Sequence, residues 1–132
     1  MLKIEKKKIL LVDDDPDYLF QLTIALQDMG FEVIAADTQK EAENIIQKIK
    51  PDLAILDLMM ENQDTGFILC HIIKNRYPEV PIIIASAVTA ETGMLFDVES
   101  EEERQWIKAD LFLDKGIRMD QLHKEINKLL KI

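Results

Sequence analysis

Four places in this 132-residue sequence carry side chains whose combination suits phosphate chemistry: Asp13-Asp14-Asp15, Asp57, Ser86 and Asp114-Lys115. Carboxylates gathered in one pocket repel each other, and each ionised group needs compensation. A hard divalent cation supplies it, and oxygen-only ligands select Mg²⁺ or a close relative. A lysine nearby adds a second fixed positive charge, and a hydroxyl adds a hydrogen bond. Such a set fits a phosphoryl group, whose oxygens spread negative charge in the transition state. Each piece alone has an ordinary role. An acidic triplet often caps the next helix, an aspartate in a loop is often only hydrated, and a serine or lysine at a strand end is commonly structural or solvated. What matters is whether the four places meet.

The elements that must position them are legible as five short apolar runs: Ile9-Leu10-Leu11-Val12, Phe31-Glu32-Val33-Ile34-Ala35, Leu53-Ala54-Ile55-Leu56, Ile82-Ile83-Ile84-Ala85 and Leu111-Phe112-Leu113. Most are continuous, as strands buried on both faces of a parallel sheet require. Helical patterns separate them. Asp15 and Pro16 open one whose stripe is Leu19, Leu22, Leu26 and Met29, and Gly30 ends it. Thr38 and Glu41 form a capping-box pattern ahead of Ala42, Ile45, Ile46 and Ile49, with Pro51 as the stop. A third helix is expected from about Gly66 to Arg76. Ser100 with Glu103 opens another that includes Trp106 and Ile107, and Leu122, Ile126, Leu129 and Leu130 give the last its apolar face.

Five strand–helix alternations predict an α/β fold: a doubly wound, five-stranded parallel sheet in a single domain spanning residues 1–132. In such sheets ligands sit beyond the carboxyl ends of the strands, where strand order reverses. With the order 2-1-3-4-5, strands one and three are neighbours at that point. Asp13, Asp14 and Asp57 then converge, flanked by Ser86 and Lys115.

Bulk properties narrow the function. With 25 acidic and 16 basic residues the formal charge is −9, unsuited to neutralising nucleic-acid phosphates. The single cysteine, Cys70, excludes an internal disulfide or a cysteine-based zinc site and reads as a packing residue. No apolar run approaches the roughly 18 residues of a membrane span. No secretory pattern follows the charged Met1–Lys8 segment, so a cytoplasmic location is expected.

The stretches Ile9–Pro16 and Pro51–Met60, with the order acidic pair, aspartate, hydroxyl, lysine, resemble the receiver domains of two-component response regulators over nearly the whole chain. The resemblance implies the flavodoxin-like receiver fold and makes Asp57 the phosphoacceptor. It implies Mg²⁺ bound by Asp13, Asp14, Asp57 and the Met59 backbone carbonyl. Lys115 pairs with Asp57 and then with the phosphoryl group, Ser86 hydrogen-bonds a phosphoryl oxygen, and Phe112 holds the place of the aromatic switch residue. The implied partners are a sensor histidine kinase or phosphotransfer protein and a downstream protein target. The domain then catalyses only its own phosphorylation and dephosphorylation, with no output domain in this chain.

Some features depart from that family pattern. Gly116 stands where many receivers have proline after the lysine, leaving open whether the Lys115–Gly116 peptide is trans. Glu61 replaces another common proline, the segment from Met60 to Gly66 is one residue longer than usual, and the stretch 87–99 is long and apolar at Met94, Leu95, Phe96 and Val98. That stretch either packs on the domain's own core or shapes a partner surface. His71, His123 and Trp106 are expected to pack away from the carboxylates. Two rival functions have distinct signatures. An aspartyl phosphatase would use the Asp13-x-Asp15 spacing but needs a second acidic pair near strand four, which is absent. An unphosphorylated interaction module has no need of all five residues Asp13, Asp14, Asp57, Ser86 and Lys115.

Overall fold

A computed structural model describes residues 6–58, 60, 64–86 and 109–132. The Met59 carbonyl, Glu61, the stretch 87–99 and the helix expected from Ser100 with Trp106 lie outside these residues. The described elements are β1 (Lys8–Val12), α1 (Pro16–Asp28), β2 (Glu32–Ala36), α2 (Gln39–Lys48), β3 (Leu53–Asp57), α3 (Thr65–Arg76), β4 (Ile82–Ser86), β5 (Leu111–Asp114) and α4 (Met119–Leu130). All four strand pairings are parallel, and the sheet order is β2-β1-β3-β4-β5, as the sequence predicts.

Successive side chains on a strand point to opposite faces, and both faces of the central strands are covered. Leu10, Val12, Ala54, Leu56, Ile82 and Ile84 pack with Ala42 and Ile46 of α2 and Leu69, Cys70 and Ile73 of α3. Ile9, Leu11, Leu53, Ile55 and Ile83 pack on the other face with Leu22 and Leu26 of α1 and Leu122 and Ile126 of α4. Two-sided burial explains why these strands are written in continuous apolar letters. The edge strands are less enclosed, with β5 partly exposed throughout.

Local signals act as expected. Asp15 caps α1, its Oδ1 accepting the N–H groups of Asp17 at 3.0 Å and Tyr18 at 3.4 Å. Gly30 closes that helix at φ +99°, a left-handed conformation that glycine adopts without strain. Thr38 Oγ1 accepts the Glu41 N–H at 3.1 Å to open α2. The one shifted strand is β2, expected from Phe31 but starting at Glu32. The Phe31 N–H turns back to the Leu26 carbonyl at 3.1 Å, and Glu32 is the first residue to bond across, to the Lys7 carbonyl at 2.9 Å. Phe31 stays buried as a core side chain outside the ladder. Among the described residues no helix is long and apolar enough to cross a membrane.

Candidate functional site

The carboxyl ends of β1 and β3 lie side by side, with Val12 paired to Leu56. Asp13 follows directly, its N–H held by the Ala36 carbonyl of β2 at 3.1 Å. Asp57 is the last residue of β3, in register with Ala85 of β4. One carboxylate oxygen from each of Asp13, Asp14 and Asp57 lies within 4.8 Å of the others. Asp13 and Asp57 are buried, while Asp14 is exposed and opens the cluster to solvent.

Lys115 reaches this cluster from the tip of β5. Its backbone N–H donates to the Ser86 carbonyl at 3.1 Å, fixing the loop to the end of β4. Its Nζ lies 2.7 Å from Asp13 Oδ2 and 3.3 Å from Asp57 Oδ1, with only 17% of the side chain exposed. The nearer anion is therefore Asp13, where the resemblance implied Asp57. Asp13 Oδ1 also accepts the Asp15 N–H at 2.9 Å. One buried carboxylate thus ties the lysine to the loop that starts α1. No cis peptide occurs among the described residues, so the Lys115–Gly116 bond is trans. The turn is held by Asp114 Oδ1, which accepts the Gly116 N–H at 2.7 Å.

Electrostatics follow from this packing. Burial pushes the Asp57 carboxyl up to about 6, and the neighbouring Asp13 charge adds to the rise while Lys115 opposes it. Burial works against the Lys115 ammonium, but the hydrogen bond to Asp13 and the charges of Asp57 and Asp13 more than offset it, leaving its pKa raised. Among the described residues, three carboxylates beside one ammonium leave two negative charges unmatched if all ionise. A divalent cation matches both that charge and the hard oxygen donors, so the residues fit Mg²⁺.

Ser86, buried at the end of β4, is paired in register with Asp114. Phe112 lies in β5 opposite Ile84 and packs, partly buried, against the core on the α2–α3 side. His71 of α3 is half-buried, and His123 meets the Phe31 ring edge-on at 6.0 Å. Neither histidine belongs to the carboxylate cluster.

Two contributors carry no motif signal. Gly66 brings α3 so close to β3 that a Cβ there would stand 2.6 Å from the Asp57 carbonyl oxygen and 2.8 Å from Leu58 Cα. Its N–H donates to the Leu58 carbonyl at 3.0 Å. Only glycine allows this approach, which seats the start of α3 against the backbone of Asp57. The ring of Tyr18 lies 4.8 Å from Lys115 Nζ. Burial pushes the Tyr18 phenol up to about 12, with nearby Lys115 opposing and Asp13 and Asp57 reinforcing the rise. The sequence marks only their places: Tyr18 is three residues past the cap Asp15, and Gly66 lies in the first turn of α3.

A parallel sheet in this order, with carboxylates at its switch point and a lysine at the tip of β5, defines a receiver-type fold. The sequence model of the response regulator receiver domain matches residues 9–127, and the chain belongs to that family, part of two-component signalling. It is 32% identical over 95 residues to the DNA-binding response regulator MtrA of Mycolicibacterium smegmatis, covering 72% of this chain and 41% of that protein. A CheY-like receiver domain protein from Methanospirillum hungatei superposes with a TM-score of 0.79 at 23% identity, over 96% of this chain and 95% of that one. The Thermotoga maritima response regulator TrrA, solved in complex with Mg²⁺-BeF, gives 0.75 at 28% identity over 93% and 98%. The chain spans about half the length of the curated relatives it matches.

Proposed function

We propose that this domain accepts a phosphoryl group on Asp57, in the cytoplasm, from the phosphohistidine of a sensor histidine kinase or phosphotransfer protein. One observation carries the reading: Asp13, Asp14 and Asp57 from two adjacent strand tips share one locus, with the Lys115 ammonium against two of them. An Asp57 carboxylate oxygen attacks phosphorus in line. The new P–O bond forms as the P–N bond to the donor imidazole breaks, and the imidazole nitrogen keeps the electron pair. Lys115 neutralises charge on the transferring oxygens, and the Ser86 hydroxyl donates to one of them. Asp13, Asp14, Asp57 and the Met59 carbonyl would hold Mg²⁺, which when bound supplies positive charge to the same oxygens.

Capture of the phosphoryl group by Ser86 draws on the tip of β4, and Phe112, in register with Ile84, is the side chain through which that shift reaches the β4–β5 surface. Two arrangements of this surface then differ in affinity for a downstream protein, and hydrolysis of the acyl phosphate resets them. The domain turns over no separate substrate, and its net charge of −9 favours a protein target over direct nucleic-acid contact. The test is incubation with acetyl phosphate and Mg²⁺, read by intact mass. Wild type gains one phosphoryl group, Asp57→Asn none, and Asp14→Ala far less. Equal labelling of all three would defeat the reading.

A further inference from the structure

Among the described residues Lys115 has two anionic partners, and both have other work in the reaction proposed above. Asp13 shares the cation, and Asp57 becomes the acyl phosphate. Each hold on the ammonium therefore loosens at the stage when the ammonium is needed. The Lys115 backbone is fixed to Ser86, but a flexible four-carbon stem separates it from Nζ. The third described partner is of another kind. The Tyr18 ring lies 4.8 Å from Nζ, inside the roughly 6 Å over which an aromatic quadrupole attracts a cation. The ring adds attraction without charge, and neither a cation nor a phosphoryl group competes for it.

Tyr18 is also well placed to hold still. It sits in the first turn of α1, behind Pro16, with its N–H directed to the Asp15 cap. The same Asp15 donates its N–H to Asp13. The loop that presents the carboxylates therefore also sets the height of the ring.

We propose that Tyr18 is a positioning residue, its ring face keeping the Lys115 ammonium over the pocket while Asp13 and Asp57 are engaged elsewhere. The inference rests on the phosphoacceptor reading, but the contact itself has an independent readout. Tyr18→Leu slows labelling by acetyl phosphate about 3- to 10-fold, and Tyr18→Phe, which keeps the ring and drops the hydroxyl, restores most of the rate. In a Lys115→Met background, Tyr18→Leu has no further effect, because its action runs through the lysine. An equal loss in both backgrounds, or no loss in Tyr18→Leu, overturns the proposal. Independently, NMR of the unphosphorylated protein should show the Lys115 ε-methylene protons shifted upfield by the ring in wild type and Tyr18→Phe, and released in Tyr18→Leu. Should wild type take no label at all, the phosphoacceptor reading falls while the ring shift still judges the contact. Its absence from wild type overturns the positioning role.

Discussion

Aspartates occupy both ends of this sheet, and they are treated in opposite ways. At the amino end, Asp52 Oδ2 accepts the Lys8 N–H at 2.7 Å while the Asp52 N–H donates to the Lys8 carbonyl at 2.8 Å. Asp110 does the same for Ile82, accepting at 2.8 Å and donating at 2.9 Å, and Lys74 adds an ammonium 2.9 Å from its carboxylate. Each of these carboxylates meets donors and staples the start of a neighbouring strand. At the carboxyl end, Asp13, Asp14 and Asp57 meet one another, with Lys115 against two of them. The residue type is the same. What separates a staple from a reactive group is whether other carboxylates crowd it: even Asp13, which takes donors from Asp15 and Lys115, stands in a cluster of three.

The sharpest break of that comparison is a pair of isosteric changes. Asp57→Asn should abolish phosphoryl uptake and, in metal-free buffer at pH 7, stabilise the fold by an amount of the order of 1–3 kcal/mol, because it removes a buried carboxylate whose ionisation burial and Asp13 oppose. Asp110→Asn should lose stability and keep uptake. Intact mass and urea unfolding read both, and a destabilised Asp57→Asn would contradict the assignment of strain to the carboxyl end.

Next in size is Gly66→Ala. Its Cβ has no room beside the Asp57 carbonyl, so α3 or the tip of β3 must move, at about 1–3 kcal/mol. Because the displaced backbone carries Asp57, labelling should slow as well. Full-rate labelling in the destabilised variant would show that α3 does not set the acceptor's position.

Lys74→Met at the amino end removes hydrogen bonds to the Val80 carbonyl and to Asp110, costing about 1–2 kcal/mol in urea unfolding with uptake unchanged. The pH dependence refines the first of these predictions. With the Asp57 carboxyl raised from 3.8 to about 6, the native state binds this proton more tightly than the unfolded chain does. Its contribution to stability is complete below about pH 4 and is lost as pH rises through about 6. Metal-free wild type should show that downward component, and Asp57→Asn should lack it. Identical slopes would mean that Asp57 is better compensated than its neighbours suggest.

Much of this was legible in the sequence because the relevant physics is local. Short continuous apolar runs such as Ile82–Ala85, alternating with helical patterns, fit strands covered on both faces, and Asp15-Pro16, Gly30 and Thr38 mark helix ends by their local geometry and hydrogen bonds. Crossover geometry narrowed the topologies to a few, and the order 2-1-3-4-5, which the family resemblance implies and the sheet has, is what brings Asp13, Asp14, Asp57 and Lys115 together. What escaped depends on contacts between distant segments. No spacing rule says that Lys115 leans toward Asp13 more than Asp57, or that Gly66 must lack a Cβ because the Asp57 carbonyl lies against it. The start of β2 escaped for a subtler reason. Phe31 has strand-like chemistry and a buried side chain, but its N–H belongs to the turn that ends α1.

The most direct test identifies the phosphorylated atom by its chemistry. Borohydride reduces an aspartyl phosphate to homoserine, which marks the acceptor permanently for peptide sequencing by mass spectrometry. After treatment with acetyl phosphate and Mg²⁺, homoserine should stand at position 57 alone, and chelation of the metal should suppress it. Homoserine at position 13, or a yield at 57 indifferent to metal, would contradict the account.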